Sequence, residues 1–80
     1  MKELVEYIVK ALVDNPDRAE IKETSSENST LIEIKVADED TGKVIGREGR
    51  IINAIRTLAK SAAGREQKRV QVEVLSKEVQ

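Results

Sequence analysis

The chain has 80 residues, enough for one small domain near the size where a single core only just suffices. It is 39% apolar and 36% charged, which reads as soluble and globular rather than disordered. There is no Cys and no His, which excludes disulfides, thiolate metal sites and the commonest general base, and Tyr7 is the one aromatic residue, so the core must be aliphatic.

Leu4, Ile8 and Leu12, with Val5 and Val9 beside them, repeat at helical spacing and predict a helix over residues 2–14. Asp14-Asn15-Pro16-Asp17 stops it, because a residue before proline is driven out of the α region. Ala19 to Thr24 predicts a weak strand whose Glu20, Lys22 and Glu23 suit a sheet edge. A polar turn over Ser25 to Ser29 leads into a better strand, Thr30 to Val36, where Ile32, Ile34 and Val36 alternate with Glu33 and Lys35. Asp38-Glu39-Asp40 offers N-cap oxygens to a short helix through Ile45. A long helix is expected from Gly49 to Ala63, with Gly64 as its C-cap and Ile52, Ile55, Ala59 and Ala62 as its core face. Val70, Val72 and Val74 alternate with Gln71 and Glu73 in a final strand, and 77–80 reads as a frayed tail. No run of about 18 apolar residues is present and the start does not read as a signal peptide, so the expectation is a cytoplasmic protein without a membrane partner.

The two inner strands are joined through two helices and should therefore run parallel, while the first two strands pair as a hairpin. The expected fold class is α+β in the order α-β-β-α-α-β, a three-stranded mixed sheet with three helices on one face.

The net charge is −1, yet its distribution is uneven. Between Gly42 and Arg69 eight basic residues stand against Glu48 and Glu66, whereas the rest of the chain carries six basic and thirteen acidic residues. Such asymmetry predicts a basic working surface on an acidic body. At its centre lies Val44-Ile45-Gly46-Arg47-Glu48-Gly49-Arg50-Ile51-Ile52, a Gly-x-x-Gly loop between apolar pairs that opens the long helix. Two glycines three apart allow a tight turn whose N–H groups face outward at a positive helix start, a setting that suits phosphate. Read without a ligand, the same loop is a helix–turn–helix connection whose glycines serve packing.

This stretch resembles the signature of the KH domain, whose Gly-x-x-Gly loop clamps the backbone of about four nucleotides. The element order resembles the type II arrangement over nearly the whole chain, one domain of residues 1–80 with its core at about 19–75. The run Gly42-Lys43-Val44-Ile45-Gly46-Arg47-Glu48-Gly49-Arg50 with Ala54-Ile55-Arg56-Thr57 resembles the small bacterial KhpA-like family of RNA-binding proteins. The resemblance implies a single-stranded RNA partner, no cofactor, no metal, no small-molecule substrate and no catalysis. It implies a clamp of Gly46, Arg47, Glu48 and Gly49 flanked by Lys43 and Arg50, and an apolar groove floor from Val44 and Ile45. The last strand would form the far wall, with Arg65, Lys68 and Arg69 at the short variable loop before it. It further implies a role in post-transcriptional regulation or as an RNA chaperone, linked to cell elongation, and association with itself or with a KhpB-like KH protein. Glu48 departs from the more uniformly basic loops of many KH domains, which leaves open a protein-interaction module with weak RNA binding. Ile51, Ala54 and Leu58 form a surplus apolar flank on the long helix, readable as incompletely buried core or as a dimer interface.

Overall fold

A computed structural model describes residues 2–64 and 69–75. Helix α1 spans Lys2–Leu12, followed by a 3-10 turn at Pro16–Arg18 and the strands β1 (Glu20–Ser25) and β2 (Ser29–Lys35). A second 3-10 turn at Asp38–Asp40 leads into helix α2 (Thr41–Ile45), a third lies at Arg47–Gly49, and helix α3 (Arg50–Ala63) and strand β3 (Arg69–Leu75) complete the order. The expected tail at 77–80, like Arg65 and Lys68, lies outside the described residues.

Alternation in the strands sets both the sheet and its buried face. β1 and β2 pair antiparallel with Ile21 opposite Ile34, and β2 and β3 pair parallel with Ile32 opposite Val72, giving the order β1-β2-β3. Thr30, Ile32 and Ile34 therefore share one face with Val70 and Val72, and all five are buried. Leu31, Glu33 and Lys35 share the other face with Gln71, Glu73 and Leu75. Val5 and Val9 of α1, Val44 of α2 and Ile52, Ile55, Ala59 and Ala63 of α3 pack with the buried strand residues into a single aliphatic cluster. Enclosing a side chain such as Ile32 or Ile55 contributes about 1.5–3 kcal/mol. The result is the expected mixed sheet with its helices on one face.

Several boundaries moved for physical reasons. α1 ends at Leu12 rather than Asp14, although Val13 N–H still reaches Val9 O at 3.2 Å. Ala63, not Ala62, is buried. At about 100° per residue Ala63 lies about 20° around α3 from Ile52, whereas Ala62 lies about 80° away. Gly64 has φ −57° and ψ −33°, so α3 does not end on the left-handed glycine cap that was expected.

The acidic triplet also behaves otherwise than expected. Asp40 precedes α2 but makes no side-chain cap to it. Its carboxylate is fully buried and accepts hydrogen bonds from the N–H groups of Asp14 (3.2 Å) and Asn15 (3.0 Å) and from Asn15 Nδ2 (3.0 Å). The peptide N–H groups left over after α1 ends are thus satisfied from across the fold. Burial opposes ionisation of Asp40, but the Asn15 amide, the two N–H groups and the Lys43 ammonium outweigh it and hold the carboxyl below its ordinary range.

Asp40→Asn should therefore lower Tm at neutral pH, because an amide turns a donor toward donors. A group with a depressed folded pKa contributes stability that is complete above its unfolded value and is lost as pH falls through the folded one. The Tm difference between wild type and Asp40→Asn should accordingly shrink as the pH is taken below about 3.9. Thermal unfolding at a series of pH values checks this, and a difference that stays constant into acid would show that Asp40 acts without its charge.

Candidate nucleic-acid interface

The Gly-x-x-Gly loop is built on three consecutive hydrogen-bonded closures. Gly46 N–H donates to Gly42 O at 2.8 Å and ends α2, Gly49 N–H donates to Gly46 O at 3.2 Å, and Arg50 N–H donates to Arg47 O. Three of the four loop residues have positive φ: Gly46 at 78°, Glu48 at 58° and Gly49 at 76°. A Cβ on Gly46 would stand 2.6 Å from Ile51 Cγ1 and 2.9 Å from Ile51 Cβ, so glycine is required there for space as well as for φ. At Gly49 the nearest atoms to such a Cβ are 3.7 Å away, so only the backbone conformation favours glycine. Glu48 holds its left-handed conformation without that freedom, a local strain of the kind found at binding loops.

Among the described residues this geometry leaves two backbone donors uncommitted. The N–H groups of Arg47 and Glu48 donate to no backbone carbonyl in these turns. Gly49 caps α3 without a side-chain hydrogen bond, and no acidic residue lies in the first turn of that helix. The partial positive charge at the α3 N-terminus is therefore uncovered. Arg47, Glu48 and Arg50 are all exposed. Glu48 Oε1 sits 3.7 Å from Arg50 Nη2, with both side chains more than 70% exposed. A surface pair of this kind contributes about 0–1 kcal/mol and yields readily to a phosphate.

The structure separates the expected site residues. Val44 is wholly enclosed in the core and offers no surface to a base; Ile45 is half-buried against the core cluster. Lys43 turns away from the loop: its ammonium is hydrogen-bonded to the Asp14 carboxylate and lies 3.7 Å from Asp40 Oδ1. The Asp14 hydrogen bond, against some desolvation, holds the Lys43 pKa above its ordinary value. Arg69 is exposed at the start of β3, its N–H bonded to Asn28 O at 2.9 Å. Arg65 and Lys68 lie outside the described residues. Ile51 is half-buried and seats against Gly46, so its role is within the chain, whereas Ala54 and Leu58 are exposed on the same helix and Ala62 continues their row.

One residue was not singled out for the site. Arg56 spans from α3 to the free edge of the sheet: its Nε donates to Val72 O at 3.1 Å and its Nη1 to Asn53 Oδ1 at 3.0 Å. Beyond it, Lys60 of α3 and Arg69, Val70 and Gln71 of β3 line an open depression of about 430 Å³. The spacing Asn53-x-x-Arg56-x-x-x-Lys60 was the available signal, because it sets three polar groups on one side of α3.

A family model described as KhpA/KhpB, KH domain matches residues 2–74. The chain belongs to that family. A protein of Caldanaerobacter subterraneus named RNA-binding protein KhpA is 60% identical over 75 residues, covering 94% of this chain and all of the relative. The Clostridium acetobutylicum protein of the same name is 55% identical with the same coverage. That of Borreliella burgdorferi is 48% identical over 73 residues, 91% of this chain and 89% of its own length. The mixed three-stranded sheet with three helices agrees with the type II KH fold, and the KhpA/KhpB family is a non-enzymatic one. Among the described residues no helix is long and apolar enough to cross a membrane.

The loop geometry orders three alanine substitutions. Gly46→Ala should destabilise by about 1–3 kcal/mol or more, since overpacking against Ile51 adds to the φ strain. Gly49→Ala should lose only the cost of a left-handed residue, about 1–2 kcal/mol. Gly42→Ala, with nothing near its Cβ and a place inside α2, should gain about 0.5–1 kcal/mol. Urea unfolding of the three variants checks the order.

Proposed function

We propose that the chain is a non-catalytic binder of single-stranded RNA that clamps the backbone at Gly46–Gly49. The observation that carries this reading is the pair of uncommitted N–H groups at Arg47 and Glu48, set beside an uncapped α3 N-terminus and two exposed arginines. A phosphate placed there accepts from the backbone while Arg47 and Arg50 neutralise it, which positions the strand without reading its sequence. The names of the relatives support the same partner. A place in post-transcriptional regulation or as an RNA chaperone, a link to cell elongation and a cytoplasmic site of action follow from the family resemblance. The affinity should be modest, because Glu48 opposes the loop cations and Lys43 is engaged by Asp14. Those two observations also support the second reading, a KH module whose main partner is another protein.

Replacing Arg47 and Glu48 together by Asp tests the clamp. Both side chains are exposed and aspartate tolerates the left-handed conformation at position 48, so the fold should persist. Two carboxylates facing a phosphate should weaken RNA binding by about tenfold or more at low salt. Equal gel shifts for wild type and variant would remove the loop from the interface and favour the second reading.

Self-association belongs to the same proposal. Ala54, Leu58 and Ala62 form an exposed row flanked by the small polar side chain of Ser61, and Leu58 is 49% exposed. A two-fold axis would bring the rows of two copies together, and small neighbours let helices approach closely. Covering the exposed half of Leu58 contributes on the order of 1 kcal/mol per copy, which makes a weak dimer that a KhpB-like partner can replace. Leu58→Asp should give a folded monomer. Sedimentation of both proteins over a range of concentrations decides the matter, and a wild type that stays monomeric throughout would end the dimer proposal.

A further inference from the structure

Two carboxylates and one ammonium meet where α1 ends and α2 begins, and the two carboxylates are not equivalent. Asp40 is wholly enclosed, and its oxygens already accept from two backbone N–H groups and the Asn15 amide. Asp14 is fixed only through its backbone, whose N–H donates to Asp40. Its carboxylate stands 72% exposed and, among the described residues, accepts from the Lys43 ammonium alone. Lys43 is itself 44% exposed. It also stands three residues before Gly46, and residues three apart are neighbours on a helix surface. The entry to the Gly-x-x-Gly loop thus lies within the sweep of its flexible four-carbon stem. Swinging the ammonium from Asp14 toward the loop strands no buried charge. Asp14 returns to water, and Asp40 keeps its three donors.

Resting on the proposed RNA-binding reading, we propose that Asp14 is a built-in competitor for the RNA backbone, holding Lys43 as a reserve cation that a phosphate must take from it. Without RNA the ammonium rests on the Asp14 carboxylate. With a strand on the loop it transfers to a phosphate oxygen beside Gly46, and Asp14 is released into solvent. The exchange of one anion for another gains little, because both contacts are exposed charge pairs screened by water and salt. Arg50 has its rival in Glu48 within the loop, whereas Asp14 acts on the loop from the end of α1, a separate element. A lysine on a phosphate carries no sequence information, so the pair sets affinity and salt dependence rather than base preference. Asp14 is a positioning residue, acting through Lys43.

The test measures binding of a short single-stranded RNA of mixed sequence by fluorescence anisotropy at several salt concentrations. Asp14→Asn should tighten binding by about two- to fivefold at low salt, the fold-change that releasing a surface ion pair allows. It should also steepen the salt slope by up to about 0.7, the increment of one further phosphate contact on a single strand. Asp17→Asn removes the same charge from an exposed turn three residues on and should change affinity much less. In a Lys43→Gln background, Asp14→Asn should give no gain beyond that of Asp17→Asn, a coupling that the double-mutant cycle isolates. Thermal unfolding of each variant confirms the fold. Salt-dependent binding by wild type with no gain from Asp14→Asn overturns the competition and leaves RNA binding standing. A gain of equal size from Asp17→Asn, or one that persists without Lys43, is a general charge effect and overturns it in the same way. Failure of wild type to bind the RNA at low salt overturns the RNA-binding reading and this inference with it.

Discussion

A side-chain carbon at position 46 would stand 2.6 Å from Ile51, and the geometry of the site depends on the absence of that carbon. Because the backbone at Gly46 can press against Ile51, α2 and α3 meet across only four residues. The chain reverses through φ values of 78°, 58° and 76° at Gly46, Glu48 and Gly49, and it brings the N–H groups of Arg47 and Glu48 beside an α3 N-terminus that has no side-chain cap. The hydrophobic core holds both helices in place around this contact: Val44 is sealed beneath the loop and Ile52 anchors α3 directly after it. Packing and ligand geometry are one constraint here, since whatever loosens the contact also moves the donors.

The charge of the protein is organised around the same loop. An overall charge of −1 would repel a polyanion at long range if it were spread evenly. Instead Asp14 and Asp40 face Lys43 on the side of α2 turned toward α1, and this ion-paired cluster joins the end of α1 to the start of α2. Arg47 and Arg50 remain exposed at the loop, while Arg56, Lys60 and Arg69 follow the cleft between α3 and β3. α3 accordingly carries different chemistry on its two sides. Asn53, Arg56 and Lys60 lie toward β3, and the exposed row of Ala54, Leu58 and Ala62 lies well around the helix from them. RNA in the cleft and a second protein on the apolar row would not compete for the same residues.

Most of the fold was legible because it follows from local periodicity. The alternation in Ile32, Ile34, Val70 and Val72 specified which strand face is buried, and a two-helix connection between β2 and β3 required them to be parallel. The loop was legible because two glycines at that spacing, bracketed by apolar pairs, have few structural uses. What escaped were partners distant in sequence. Asp40 was read as a helix cap because it precedes a helix, yet its acceptors serve Asp14 and Asn15, some 25 residues earlier. The resemblance implied that Lys43 flanks the clamp, and its bond to Asp14, 29 residues earlier, was not legible from the chain. Arg56 could be seen as a charge on a helix, but its bond to Val72 O depends on how α3 lies across the sheet edge. Val44 was assigned to a groove floor that the packing closes.

Following backbone amide resonances during titration with a short single-stranded RNA tests whether the glycine loop and the cleft beside it form one RNA surface. Concerted shifts are expected at residues 46–50, at Asn53 and Arg56 on α3, and along β3 from Arg69 to Val72. Little change is expected on the opposite face of the sheet at Lys22, Glu33 and Glu73. Shifts confined to that opposite face, or loop amides that stay unmoved at saturating RNA, would contradict it.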